Sequence, residues 1–256
     1  MLTVDIGNTD IVFGVFENEN LTQTFRVPSK KQEDKIFFQT ALANFLLENN
    51  LTADSLGVKV LSSVVPELSP VLLGILTQLN NSEVIEVKPG IHPLVKVKIE
   101  NPDQLGTDLY TNAVSAYHHC HCACIIVDFG TALTFTAVSS IGEVLGVAIT
   151  PGLKTAINSL FSKTAQLPEV PLELPLNAIG RNTVSSIQSG ILNGYEGLVS
   201  NIIEKFKKEM NESEIEVFAT GGLSSILPGN KALFDEIDID LTLKGLYIIG
   251  KSLSAQ

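Results

Sequence analysis

The strongest constraint in the sequence is a repeated segment. Val4-Asp5-Ile6-Gly7-Asn8-Thr9-Asp10-Ile11-Val12-Phe13 and Val127-Asp128-Phe129-Gly130-Thr131-Ala132-Leu133-Thr134-Phe135 share one pattern, and their aspartates stand 123 positions apart in a chain of 256 residues. Each copy reads as an apolar strand ending in Asp, a turn containing Gly and Thr, and a second strand of β-branched and aromatic residues. A third strand follows each pair, over 21–27 in the first half and 143–149 in the second. Two halves built on one plan, each opening with three antiparallel strands, are therefore expected.

Helices follow where the apolar period lengthens. Phe38, Ala41, Leu42, Phe45 and Leu46 keep the i, i+3, i+4, i+7, i+8 spacing of an amphipathic helix across 37–47. Next come an expected strand over 56–64, a helix opened by Pro66 and running to Leu79, a strand over 83–87 and a helix over 105–117. The second half predicts helices over 151–164, over 184–209 with Thr183 as N-cap, and over 243–253, with a strand over 215–219. Residues 168–175 carry three prolines and read as a surface loop. This order predicts an α/β protein of two similar domains, 1–114 and 115–256. Each would be a mixed sheet flanked by helices, with no low-complexity linker and a cleft between the two.

The chain carries 17 Lys+Arg against 28 Asp+Glu, a formal charge of -11. No global positive field exists to hold nucleic acid or an anionic membrane, so neither is an expected partner. No apolar run approaches the roughly 18–20 residues of a membrane span, and Met1-Leu2-Thr3-Val4-Asp5 lacks the basic start and apolar stretch of a signal peptide. Cys120, Cys122 and Cys124 are an odd number of thiols within five residues, which fits a reducing compartment better than a disulfide framework. A cytoplasmic protein is expected. The only arginines are Arg26 and Arg181, so a bound anion would have to be held chiefly by backbone amides and by cations.

Asp5-Ile6-Gly7-Asn8-Thr9 places a carboxylate at a strand end and then a turn whose N–H groups and short side chains can face one small anion. The carboxylate would hold a hydrated Mg²⁺ that bridges phosphoryl oxygens. Asp, Gly, Asn and Thr are also ordinary turn residues, but two copies in matching halves point to paired phosphate loops. Thr220-Gly221-Gly222 after the 215–219 strand would let backbone approach a flat ligand such as adenosine. Residues 118–124 gather three histidines and all the cysteines. A helix end running into a strand explains them more simply than a zinc site, which draws its ligands from two separated segments.

Further stretches complete the pattern: Asn101-Pro102-Asp103-Gln104-Leu105-Gly106-Thr107-Asp108, Gly146 to Gly152, Thr164-Ala165-Gln166-Leu167-Pro168, and Gly180-Arg181-Asn182-Thr183 running into Ser186-Ile187-Gln188-Ser189-Gly190. With the two Asp-Gly turns and Thr220-Gly221-Gly222, the chain resembles the type III pantothenate kinases of the actin/hexokinase/Hsp70-like (ASKHA) superfamily. That resemblance implies two ribonuclease H-like domains and ATP-dependent phosphorylation of pantothenate to 4'-phosphopantothenate, the first step toward coenzyme A. It implies that Asp5, Ile6, Gly7, Asn8, Thr9, Asp10, Ile11 and Val12 bind ATP with Thr131 assisting, that Asp128 holds a monovalent cation (K⁺ or NH₄⁺), and that Asp108 is the general base. Gly106, Thr107, Asp108, Leu109 and Thr183 would line the pantothenate site of a homodimer. The chain departs from the family pattern at Leu109, where the family has arginine, and at Ile99, where it tends to have tyrosine. The alternative is a diverged paralogue that binds nucleotide and acts as a regulator or on another small acceptor.

Overall fold

The computed structural model describes residues 1–30, 34–163, 170–227 and 230–254. The chain forms two compact units, Met1–His118 with Leu241–Gln256, and His119–Asp240. The second crossing was not in the sequence expectation: the closing helix packs on strands of the first unit, and the first crossing falls at 118/119 rather than 114/115.

In the first unit, β1 (Leu2–Ile6), β2 (Asp10–Glu17), β3 (Asn20–Pro28), β4 (Lys59–Ser63) and β5 (Val84–Glu86) lie in the order β3-β2-β1-β4-β5. β1, β2 and β3 form an antiparallel meander, while β4 and β5 join parallel. The helices are α1 (Lys35–Glu48), α2 (Ser69–Leu79) and α3 (Thr107–Cys120), with α7 (Leu241–Ser254) returning at the end, and a two-residue strand β6 (Lys96–Val97) precedes α3. Asp34 caps α1 by accepting from the Phe37 N–H at 3.0 Å. α2 begins at Ser69, with Pro70 in its first turn, rather than at Pro66. One core joins Leu2, Val4, Ile6, Ile11 and Phe13 of the sheet to Phe38, Leu42 and Phe45 of α1 and Leu72, Ile75 and Leu76 of α2. Stacked rings of Phe13, Phe25 and Phe45, 4.3 and 4.2 Å between centroids, tie β2, β3 and α1 together.

The second unit repeats the plan. β7 (Ala123–Phe129), β8 (Ala132–Val138), β9 (Glu143–Pro151), β10 (Ile215–Thr220) and β11 (Glu236–Ile237) run β9-β8-β7-β10-β11, again with three antiparallel strands followed by two parallel ones. Around them lie α4 (Leu153–Lys163), the 28-residue α5 (Thr183–Met210) and the short α6 (Asn230–Leu233). The expected N-cap of α5 shifts by one residue. Asn182 caps it, accepting from the Ser185 N–H at 2.9 Å in a reciprocal capping box, because the residue three places on returns the bond to Asn182. Lys207 and Lys208 sit in the last turn, where the helix dipole favours cations. The 164–168 stretch and the start of the proline-rich loop lie outside the described residues; 170–175 has no regular structure.

The duplication extends to register. Asp5 is the penultimate residue of β1, opposite Val12 on its antiparallel side and Ser62 on its parallel side. Asp128 is the penultimate residue of β7, opposite Thr134 and Thr220 in the same way.

Candidate active site

In the first unit, hydrogen bonds hold the turn between β1 and β2 from behind. The Gly7 N–H donates to the Asp10 carbonyl at 3.0 Å, the Ser29 N–H to the Thr9 carbonyl at 2.8 Å, and the Ser29 hydroxyl to the Gly7 carbonyl at 2.6 Å. Asn8 and Thr9 stand exposed at the tip, with Asp5, Gly7, Asp10 and Val12 half-buried around them. Ile6 and Ile11 are fully enclosed in the core, so only their backbone groups can serve a ligand. Arg26 lies across from Val12 on β3 and donates to Asp10 Oδ2 at 3.0 Å, which puts one of the two arginines beside this loop. The carboxylates and carbonyls here are an all-oxygen donor set, the kind a Mg²⁺ accepts when most of its remaining positions are filled by water and phosphate.

The same unit carries the start of α3. Thr107 Oγ1 donates to the Ser63 carbonyl at 2.9 Å, accepts from the Ser63 N–H at 3.1 Å and lies 2.9 Å from Ser62 Oγ. Ser62 is the β4 residue paired with Asp5, so β4 brings the α3 N-terminus beside the strand that ends in the first loop. Asp108 follows in the first turn, and its Oδ1 accepts from the Leu109 N–H at 2.8 Å. Burial pushes the Asp108 carboxyl above its ordinary range despite the backbone hydrogen bonds that favour its charge. Leu109 is 7% exposed and gives a ligand almost no side-chain surface. Tyr110 is fully buried; its hydroxyl accepts from the His92 N–H at 2.9 Å and donates to the Val95 carbonyl at 3.0 Å, pinning 92–95 to the helix.

The second unit gathers Asp128, Thr131, Gly221 and the start of α4. Gly221 has φ 88°, and a Cβ there would lie 2.7 Å from Asp128 Oδ1 and 2.8 Å from the Phe129 carbonyl oxygen. The bare glycine thus lets the 220–222 turn press directly on the aspartate. Carboxylate and carbonyl oxygens at this point suit a hard cation. Thr131 is exposed, and its carbonyl accepts from the Gly152 N–H at 3.1 Å and the Thr155 hydroxyl at 2.7 Å. The Tyr195 hydroxyl of α5 donates to the Pro151 carbonyl at 2.7 Å. A cavity of about 520 Å³ is lined by Leu160, Thr183, Ser186, Ile187, Gly190 and Ile191, so exposed Thr183 offers its hydroxyl beside another hydroxyl on a largely apolar wall.

Thus β4 draws together the first loop and Asp108 within one unit, and the Gly221 turn meets Asp128 within the other. Ser29, Ser62, Ser63 and Thr155 are the supporting residues that sequence patterns missed. Each acts through a hydroxyl bonded to a distant group, for which no spacing rule exists. Among the described residues, no three or more His, Cys, Asp or Glu side chains are grouped to hold a metal ion by themselves.

A family model for type III pantothenate kinase matches residues 1–205. The chain belongs to the type III pantothenate kinases. Its reaction is therefore the ATP-dependent phosphorylation of pantothenate. The fold is shared with solved structures of low sequence identity. A conserved Baf-family protein from Campylobacter jejuni is 18% identical with a TM-score of 0.62, each chain covered over 100%. The ethanolamine utilization protein EutJ from Carboxydothermus hydrogenoformans is 14% identical with a TM-score of 0.55, over 97% of this chain and 89% of that one. Component A of (R)-2-hydroxyglutaryl-CoA dehydratase from Acidaminococcus fermentans is 12% identical with a TM-score of 0.52, over 99% and 98%. These likenesses place this pantothenate kinase in the ASKHA fold, as its paired sheets do. Among the described residues no helix is long and apolar enough to cross a membrane.

Proposed function

We propose that Asp108 is the general base of this kinase, accepting the proton of the pantothenate hydroxyl as that oxygen attacks the γ-phosphorus of ATP. The supporting observation is the environment of Asp108: burial raises its proton affinity while the Thr107 hydroxyl bonds fix the turn that carries it. Phosphoryl transfer is governed by positioning and charge compensation, so one oriented carboxylate is chemically sufficient. The Asp5–Val12 loop holds the ATP phosphates through its N–H groups and the exposed Asn8 and Thr9, with Thr131 assisting. Asp5 would hold a hydrated Mg²⁺, which when bound would offset phosphoryl charge. Asp128 holds K⁺ or NH₄⁺. Gly106, Thr107, Asp108 and Thr183 meet pantothenate, while Leu109 shapes that site only from beneath. The protein works as a cytoplasmic homodimer.

One observation favours the second reading, a nucleotide-binding paralogue serving another acceptor. The position where the family carries arginine is a buried leucine, which removes a charge-assisted contact to the substrate. ADP formation with ATP, Mg²⁺ and pantothenate, compared in K⁺, NH₄⁺ and Na⁺, separates the two. The kinase reading expects pantothenate-dependent ADP, stimulated by K⁺ or NH₄⁺ and losing that stimulation in Asp128→Asn. ATP binding with no pantothenate-dependent ADP in any cation favours the paralogue.

A further inference from the structure

The start of α3 is capped in an unusual way. The Gly106 carbonyl accepts the first bond of the helix, from the Tyr110 N–H at 3.0 Å, which makes Gly106 the N-cap. Serine, threonine, aspartate and asparagine serve that position best, because their side chains accept from an N–H two or three residues on. Glycine is tolerated there but brings no acceptor. The N–H three residues on is that of Leu109, and Asp108 Oδ1 takes it at 2.8 Å from within the first turn itself. To reach it the carboxylate folds back over the α-carbon of Gly106. A Cβ on residue 106 would overlap Asp108 Oδ1 and would lie 3.6 Å from both Asp108 Cγ and Leu109 Cγ.

The backbone around this contact is tied on both sides. Thr107 Oγ1 bonds to the N–H and the carbonyl of Ser63, and the Tyr110 hydroxyl bridges the His92 N–H and the Val95 carbonyl. The carboxylate is the end of a side chain with two torsions. Anything added at residue 106 is therefore accommodated by turning the carboxylate away rather than by moving the helix.

We propose that Gly106 is a positioning residue for the general base: its bare α-carbon leaves free both the room and the Leu109 N–H that anchor Asp108 Oδ1, so that Oδ2 is the oxygen that takes the proton. The proposal rests on Asp108 being that base and adds which oxygen acts and what holds it. With Oδ1 anchored, the carboxylate keeps one orientation before substrate arrives, and the entropy of orienting it is not spent in the reaction. A stronger N-cap at 106 would compete for the same donor, which is why the cap that is best for the helix is wrong for the site.

Two variants displace the carboxylate by different means. Gly106→Ala does so by overlap, and Gly106→Ser also supplies a hydroxyl that takes the Leu109 N–H and caps the helix itself. Each should lower kcat about 10²-fold, the effect of misplacing a reacting group by about 1 Å, while the KM for ATP holds and the unfolding midpoint of Gly106→Ser is no lower than that of the wild type. Added to Asp108→Asn, either should change the residual kcat by less than about twofold. Burial holds the Asp108 carboxyl above its ordinary range, so turning it out should also move the acid limb of kcat/KM down. Amide exchange at Leu109 should quicken in Gly106→Ala, whose lost acceptor nothing replaces. That last readout needs no turnover, so it decides the proposal even where the wild type leaves pantothenate unphosphorylated and the kinase reading fails. Wild-type kcat in both variants, an equal fold-loss with and without the Asp108 carboxylate, or unchanged exchange at Leu109 would each overturn the proposal. Wild-type turnover in Asp108→Asn alone would overturn the base assignment and the proposal with it.

Discussion

Replacing Asp108 by asparagine should separate activity from stability, moving them in opposite directions. The substitution is nearly isosteric and keeps an oxygen that can accept from the Leu109 N–H, now 2.8 Å from Oδ1. Removing a positioned general base costs about 10²- to 10⁴-fold in kcat, or roughly 3–5 kcal/mol of barrier. Stability should respond to the other property of this carboxyl, its burial. Because burial raises its folded pKa above the ordinary 3.8, the folded chain binds its proton more tightly than the unfolded chain does. The resulting stability is fully present below about pH 3.8 and is lost as pH rises through the folded value. Above that value the wild type bears the cost of ionising a half-buried, desolvated carboxylate, which asparagine lacks. Urea unfolding should show the variant more stable at pH 7, with the difference vanishing toward pH 3.8. The acid limb of wild-type kcat/KM should also titrate above 3.8. A variant with wild-type turnover, or one less stable at pH 7, would refute this account of Asp108.

Leu109→Arg should destabilise the protein. It gives up the burial of a leucine 7% exposed, about 1.5–3 kcal/mol, and places a guanidinium where desolvation costs several kcal/mol. An unchanged thermal midpoint would mean that this side chain reaches solvent. Gly221→Ala should cost about 2–5 kcal/mol in urea unfolding, combining left-handed backbone strain with a Cβ 2.8 Å from the Phe129 carbonyl; a loss under 1 kcal/mol would contradict that packing. His92 is 4% exposed, and burial, with His118 adding to it, lowers its pKa below the ordinary 6.5. As pH falls through 6.5 the unfolded chain takes up the proton first, so stability should decline toward the folded value. His92→Gln should flatten that decline between pH 7.5 and 5.5, and an unaltered pH profile would exclude His92 as its source.

The sequence made the architecture legible because both halves repeat one local pattern, an Asp at a strand end followed by a Gly-Thr turn. Alternating apolar residues and lengthening periods then marked most of the strands and helices within a few residues. The return of α7 to the first unit was hidden, since an amphipathic helix after β11 would fit either sheet, and only long-range packing on β1 and β4 decides it. Likewise Asn182 and Thr183 are both good caps, and only the reciprocal bond with Ser185 selects the former. Site residues with turn chemistry, Asp5, Gly7, Thr131 and Gly221, stood out in the sequence. Ser29, which clamps the first loop from β3, did not, because a serine one residue past a strand end is unremarkable without its partners. The burial of Leu109 was equally invisible: a lone leucine in a first helical turn can face either way.

The central claim is that this chain, despite its leucine at 109, transfers the γ-phosphoryl group to the hydroxyl of pantothenate through Asp108. Mass spectrometry of a reaction containing ATP, Mg²⁺, K⁺ and pantothenate tests it most directly. Wild-type protein should give 4'-phosphopantothenate in equal amount to the ADP formed, with product at least a hundredfold slower in Asp108→Asn. ATP binding without phosphopantothenate, or equal product from the variant, would contradict the claim.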